Sequence, residues 1–341
     1  MARLIHFHFK AKNNVGDAAV VLAIRELVDK QTGANRWTSE FLDQLRSPLS
    51  RRMSGKINRH DLAVVGGGGL YSEHALPLDH SALAAIKIPI VVFGAGYNEH
   101  LGGDSLDEAQ LESLHALNER AALSSVRDEV SRKLLERLGF KVPVTGDPAL
   151  FLEPRKTALR LQAPPRIGLN LASHGWRLQD QYLPALIDTL TTVGEGLLRE
   201  HKAQLFYLAH TRAERKVARE LRRRLPGLLI CHQSAARLLY VYQQLDLVIS
   251  MMLHSSIFGL AAAVPVINVA YDRKNHAFMQ SIGHPERCID LDEATAERLL
   301  NLAQNMLHAD RSLMLADELR IRERWRMNSE EFVRKLSTLL S

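Results

Sequence analysis

Short runs of buried-type residues alternate along the chain with longer stretches in which apolar positions recur every three to four residues. Runs of the first kind read as strands and stretches of the second as amphipathic helices, and their alternation is the signature of parallel α/β layers. In the first half, strands are expected at Arg3 to Phe9, Leu62 to Val65, Ile88 to Phe93, Ala121 to Val126 and Val142 to Val144. Helices are expected at Gly16 to Lys30, Asp107 to Asn118 and Asp128 to Leu138. The stretch from Glu153 to Pro165 breaks the pattern with Pro154, Pro164 and Pro165 among charged residues, and reads as a linker. A second series follows, with strands at Arg166–Leu171, Gln204–Leu208, Leu228–Cys231, Leu247–Ile249 and Val266–Val269. Its helices fall at Gln181–Glu200, Thr211–Leu225, Ala235–Gln244 and Ser255–Ala262, and the chain is helical from Glu293 onward.

Two such series predict two Rossmann-like doubly wound domains. Facing each other they make a GT-B-like arrangement, here with a helical C-terminal segment. The expected bounds are 1–153 for the N-terminal, acceptor-side domain, 154–165 for the linker, 166–308 for the C-terminal, donor-side domain, and 309–341 for helices packing back on the body. A chain of 341 residues is long enough for two domains of ~150. Ligands of such sheets bind beyond the carboxyl ends of the strands.

Composition narrows the function. The 46% hydrophobic and 24% charged content is that of an ordinary globular protein. Two cysteines, Cys231 and Cys288, lack metal-ligand spacing and fit a reducing compartment, so a cytoplasmic location is expected. The start MARLIHFHFK has no long apolar core of a signal peptide, and no apolar run reaches ~18 residues. A net charge of +6 favours anionic partners. Nucleic acid is disfavoured, because aromatics are only 6% and no nucleic-acid-binding signature is present.

Four constellations could carry chemistry. Asn14-Val15-Gly16-Asp17 opens the first helix, where free amides favour an anion; Asp17 suits a helix cap as well as a catalytic role. Gly66 to Gly69 follow a strand and would let a ligand approach the backbone, although Tyr71 stands where a dinucleotide fingerprint needs its third glycine. Gly94-Ala95-Gly96 repeats the theme. In Ser125-Val126-Arg127-Asp128, with Ser131, the Arg127 guanidinium at a strand end could grip phosphate or carboxylate; Gly146-Asp147-Pro148 reads as a turn. Last come Met252-Leu253-His254-Ser255 and Tyr271-Asp272-Arg273-Lys274, in which His254 could move protons near neutral pH.

The order Asn-x-Gly-Asp, four glycines, Gly-x-Gly, Ser-x-Arg-Asp-x-x-Ser, Gly-Asp-Pro, Leu-His-Ser and Tyr-Asp-x-Lys resembles the polysaccharide pyruvyl transferase family over about Asn14 to Gly283. The resemblance implies transfer of pyruvyl from phosphoenolpyruvate to hydroxyls of a cell-surface glycan or its lipid-linked precursor, as a ketal, with no cofactor and no metal. On that footing His254 and Asp17 are the candidate catalytic residues. Gly67, Gly68, Gly69, Arg127, Lys274 and Ser255 are the donor-binding set, and Asn14, Gly16 and Tyr71 lie on the acceptor side. One departure stands out: the family has Arg-Leu-His where this chain has Met252-Leu253-His254. Arg127, Arg166, Arg177 or Lys274 would have to supply the missing charge. Otherwise the chain is a GT-B glycosyltransferase using a nucleotide sugar, for which Asp290-Leu291-Asp292 is a weak metal motif, or an inactive glycan-binding scaffold.

Two basic surfaces complete the picture. Arg212, Arg215, Lys216, Arg219, Arg222 and Arg223 share one helix face, opposite Val217, Leu221 and Leu225; the default is a solvated face, the alternative peripheral contact with an anionic membrane. Arg51, Arg52, Lys56 and Arg59 form a basic loop in the acceptor-side half. The run Arg320, Arg322, Arg324, Arg326, interleaved with Ile321, Glu323 and Trp325, reads as a terminal helix packed on the body.

Overall fold

A computed structural model describes residues 1–10, 14–98, 105–162, 165–173 and 179–340. In the N-terminal half, β1 (Arg3–His8), β2 (Arg36–Phe41), β3 (Leu62–Tyr71), β4 (Ile90–Tyr97) and β5 (Leu123–Val126) form a parallel sheet in the order β2-β1-β3-β4-β5. Around it lie α1 (Val15–Thr32), α2 (Arg51–Ile57), α3 (His80–Ala85), α4 (Glu108–Arg120) and α5 (Glu129–Arg137). The C-terminal half has β6 (Arg166–Asn170), β7 (Gln204–Leu208), β8 (Leu229–Cys231), β9 (Leu247–Ser250), β10 (Val266–Ala270) and β11 (Cys288–Asp290), all parallel, in the order β11-β10-β9-β6-β7-β8. Its helices are α6 (Gln179–His201), α7 (Glu214–Arg224), α8 (Ala235–Tyr242), α9 (Leu253–Ala261), α10 (Arg273–Ser281) and α11 (Ala296–His308). None of the described helices is long and apolar enough to cross a membrane.

Both sheets are doubly wound, and each reverses its winding direction once, between β1 and β3 and between β6 and β9. A crevice opens at such a switch point because the two flanking connections leave to opposite faces. The first helix, the glycine run, Asn170 and the Met252-Leu253-His254 segment all sit at these two points.

The last helix, α12 (Arg311–Ser337), starts on the C-terminal half and ends on the N-terminal one. Arg322 and Arg324 donate to the carbonyls of Ala261 and Ser281 at the ends of α9 and α10. Beyond them Trp325 covers Gly146, Ser329 donates to the Thr145 carbonyl at 2.8 Å, and Phe332 stacks on Phe93 with centroids 5.0 Å apart. The helical C-terminal segment is thus a strap over both halves. It is broken from α11 by Asp310, whose side chain caps α12.

Several local expectations are corrected. The polar strand β2, whose Arg-Trp-Thr-Ser-Glu-Phe sequence is mostly only half buried, was not legible as a strand. Residues 142–144 form no strand, only an isolated bridge from Val144 to Val126. The basic segment after β2 is no loop: Arg51, Arg52 and Lys56 lie on α2, which Ser50 caps, and Arg59 lies just beyond it. Gly66 to Gly69 do not follow β3 but belong to it, as Gly94 to Gly96 belong to β4. A register shift between Gly68 and Tyr71 marks a bulge, and Gly67 and Gly68 take φ of +84° and +75° there. Only glycine adopts such angles without strain.

Candidate active site

Asn14 caps α1, its side chain accepting from the amides of Gly16 (2.9 Å) and Asp17 (3.4 Å). The cap aims the helix start at the C-terminal half: the Val15 amide donates to the His210 carbonyl at 2.8 Å, and Asn14 bridges to Thr211. Gly16 makes the approach of the halves feasible. A methyl group there would stand 2.1 Å from Cγ and Nδ1 of His254. His254 therefore abuts the first turn of α1 through Cβ, Cγ and Nδ1, in space that any side chain would fill.

His254 is the second residue of α9, buried, with no hydrogen-bond partner for its Nε2 among the described residues. Burial, with the Arg127 and Lys274 cations, pushes its pKa down to about 3, so the ring is neutral at physiological pH. Asp17 is the opposite case. Burial and the nearby Asp147 carboxylate push it up to about 6, against the pull of Lys274 and Arg127. Its Oδ1 stands 3.9 Å from where a Cβ of Gly68 would be, so the bulged glycine strand forms the wall beside it.

Arg127 is buried at the end of β5. Its Nε donates to Asp128 (3.2 Å), one terminal nitrogen donates to Asn98 (2.9 Å), and the other faces Asp147 Oδ2 at 3.5 Å. Asp128 itself caps α5 and accepts from Ser131. Gly96 has no side chain because the guanidinium occupies that place, 2.1 Å from a would-be Cβ. Lys274, in the first turn of α10, pairs with Asp272 at 3.1 Å and lies over the Tyr271 ring. Burial lowers its pKa, but Tyr271 and Asp272 outweigh this and raise it, so the ammonium stays charged. Arg127, Asp147, Lys274 and Trp325 line one narrow pocket between the halves.

Asp17 and His254 thus both lie within reach of the Arg127 and Lys274 charges, with Gly68 beside Asp17 and Gly16 against His254. Two other expected residues turn elsewhere. Tyr71 is fully buried in the N-terminal core rather than facing the acceptor side. Ser255 is sealed too, its hydroxyl 2.6 Å from that of Tyr242, which lies 2.7 Å from Nε2 of His210. Gly67 packs on Val20 of α1, and Gly69 has the Asn98 amide where a side chain would be. Among the cations considered for the missing family arginine, Arg166 starts β6 at the amino end of the sheet, remote from the cleft, and is bonded to the carbonyls of Gln162 and Gln244. Arg177 lies outside the described residues. Met252 packs in the C-terminal core, its amide donating to Asn170 at 3.0 Å. Asp290 pairs with His276 at the end of β11.

Residues the sequence reading missed are Asp147 and Glu214. Asp147 does cap a turn, through Oδ1 to the Ala149 amide, but its buried Oδ2 is turned to Arg127. Glu214 is fully buried at the start of α7 and accepts from Asn170, His210 and Thr211, and burial pushes it up to about 7. The only hint was its place at the strand-to-helix turn ahead of a basic stretch.

Two facing Rossmann-like domains with a polar cleft at their switch points define a GT-B-like α/β protein. Solved structures of that architecture match almost the whole chain. A UDP-GlcNAc 2-epimerase from Neisseria meningitidis bound to UDP-GlcNAc is 12% identical, with 100% of both chains covered and a TM-score of 0.59. The glycotransferase of kitacinnamycin is 13% identical, covering 99% of this chain and 98% of that one, with a TM-score of 0.57. A Methanocaldococcus jannaschii UDP-GlcNAc 2-epimerase is 14% identical over 91% and 94%, TM-score 0.56. At these identities the likeness establishes the fold alone. No curated protein matches the chain. The family is shown by its sequence model: polysaccharide pyruvyl transferase matches residues 14–273, most of the chain, and the chain belongs to that family.

Proposed function

We propose that this family member transfers a pyruvyl group from phosphoenolpyruvate to two hydroxyls of a sugar in a cell-surface polysaccharide or its lipid-linked precursor, leaving a pyruvate ketal. The observation that supports the reading is the proximity of a carboxyl raised to about 6, a neutral imidazole and two cations: Asp17, His254, Arg127 and Lys274.

Each group has a task in that chemistry. Phosphoenolpyruvate is a polyanion, for which Lys274 and Arg127 supply positive potential. Asp17, which keeps its proton to about pH 6, gives it to the terminal methylene carbon, making a methyl group and an oxocarbenium-like C2. A sugar hydroxyl adds to C2 while neutral His254 takes its proton. Phosphate leaves with its bridging oxygen and takes the proton held by His254, the second hydroxyl adds to C2, and its proton goes to Asp17, so the site returns to its starting state. The division of labour follows from environment: the same burial that raises the carboxyl to about 6 keeps the imidazole neutral.

Met252, uncharged where the family has arginine, favours a second donor class, the nucleotide sugars. Thermal stability with phosphoenolpyruvate and with a panel of nucleotide sugars decides between them. A ligand at 100 times its Kd stabilises by about 2.7 kcal/mol, a readable shift. A shift with phosphoenolpyruvate alone is expected; a shift only with a nucleotide sugar would replace the reading by a glycosyltransferase. Stabilisation by neither, together with binding of a glycan, would leave a scaffold.

The lipid-linked acceptor would bring the protein to an anionic membrane face. The exposed surface of α7 supports such contact, since Arg215, Lys216, Arg219, Arg222 and Arg223 project from it and only Glu220 counters them on the same helix.

A further inference from the structure

The buried carboxylate of Glu214 is not part of the proposed chemistry, and it is an expensive group to bury. Its partners explain its place. Oε2 accepts from the Asn170 side chain (2.9 Å) and from the His210 amide (2.8 Å), and Oε1 accepts from the Thr211 hydroxyl (3.0 Å). Asn170, at the end of β6, passes the connection on: its carbonyl oxygen accepts from the amide of Met252, the cap residue of α9. His210 and Thr211 pass it in the other direction, to Val15 and Asn14 at the start of α1. The circuit closes where Gly16 meets the ring of His254. A second branch runs from the His210 ring through Tyr242 to Ser255, beside His254 on α9.

We propose that Glu214 is a positioning residue: by holding the His210–Thr211 turn to Asn170 it clamps the start of α1 against the start of α9, and so fixes where the His254 ring stands between the two halves. The turn belongs to the C-terminal half and its outer face grips the N-terminal half, so the carboxylate acts as the hub of a clasp across the cleft. Three donors on one acceptor group leave little freedom, and a network of this kind specifies one arrangement where apolar packing would permit several. The importance of His254 to turnover rests on the transferase reading; its placement by Glu214 does not.

Glu214→Gln in the full chain tests this. The amide keeps the size but removes the charge: with its oxygen in the Oε2 place its nitrogen reverses the bond to the Thr211 hydroxyl, and the bonds from Asn170 and His210 lose their charge assistance, so the hub is loosened. Two readouts are taken on the folded protein: the imidazole resonances of 15N-histidine-labelled protein, and the Kd for phosphoenolpyruvate. The resonance of His254, assigned with His254→Gln, should move, while those of His60 and His284, outside the circuit, should not. A displacement of about 1 Å in a reacting group costs on the order of a hundredfold in transfer rate, while the Kd for phosphoenolpyruvate, which Arg127 and Lys274 set, should stay within about a few-fold. A lower melting temperature with the His254 resonance unmoved would make Glu214 a merely structural residue and overturn the proposal. Should Glu214→Gln not fold, Thr211→Val removes one donor and leaves the carboxylate two, and the same shift is expected of it. If the wild type does not bind phosphoenolpyruvate at all, the transferase reading falls, and the His254 resonance still decides the clasp.

Discussion

The contact between Gly16 and His254 makes a sharp prediction. Alanine at position 16 would place its Cβ 2.1 Å from two ring atoms of His254 and 2.6 Å from its Cβ. Ordinary carbon contacts begin near 3.5 Å, so the ring must retreat by more than 1 Å. The backbone does not object, since Gly16 lies within the first turn of α1 and is not among the glycines of positive φ. Alanine is also the better helix former, by up to ~1 kcal/mol. Overpacking costs ~1–3 kcal/mol, so the net loss of stability is small, about 0–2 kcal/mol. The functional loss is not small: displacing His254 by this much should reduce transfer about a hundredfold. Denaturant unfolding and titration calorimetry with phosphoenolpyruvate, beside a transfer assay, read the two effects separately. Gly55→Ala, in α2 and away from His254, is the control, because its Cβ would meet nothing within 4 Å and its φ is not positive. If Gly16→Ala keeps full transfer while folded, the ring does not work where it stands and the proposed roles are wrong.

Other outcomes follow from the same geometry. Asp17→Asn should lower transfer by ~10²–10⁴; in the wild type kcat/KM should fall as pH rises through about 6, where Asp17 loses its proton, and persistence of that limb in the variant would acquit Asp17 as the acid. His254 is depressed from 6.5 to about 3 in the folded state, so its contribution to stability is full above 6.5 and is lost as pH falls towards 3. His254→Gln should therefore lose less stability than the wild type between pH 7 and 4 in urea titrations, whereas parallel curves would mean the ring is not buried neutral. Reversing Arg215, Arg219 and Arg222 to glutamate should abolish salt-sensitive co-sedimentation with phosphatidylglycerol vesicles. At ~1 kcal/mol per basic residue, neutralising three amounts to about a hundredfold, and wild-type indifference to such vesicles would remove the membrane contact.

Much of the architecture is written locally. Valine- and isoleucine-rich runs such as Ile90 to Phe93 read as buried strands, and the spacing of Val217 and Leu221 reads as one face of a helix. The parallel α/β class follows from their alternation, and motif order alone points to the family. Asn14 and Asp128 are cap residues by type and position, as the structure has them. What the pattern could not decide was anything set by distance through space. Tyr71 lies in β3 near the glycines, yet the bulge after Gly68 and the strand's alternation send it into the core. Ser255 neighbours His254 in sequence, but successive helix residues point about 100° apart, and its hydroxyl goes to Tyr242 instead of the cleft. Asp147 and Glu214 look like turn and helix residues because their second roles depend on partners 20 and 44 positions away, Arg127 and Asn170. Periodicity reports which face of an element is buried. It carries no information about what is brought opposite that face, and so the ionisation of Asp17 and His254, which depends on burial and on charges from both halves, was decided only when the two domains met.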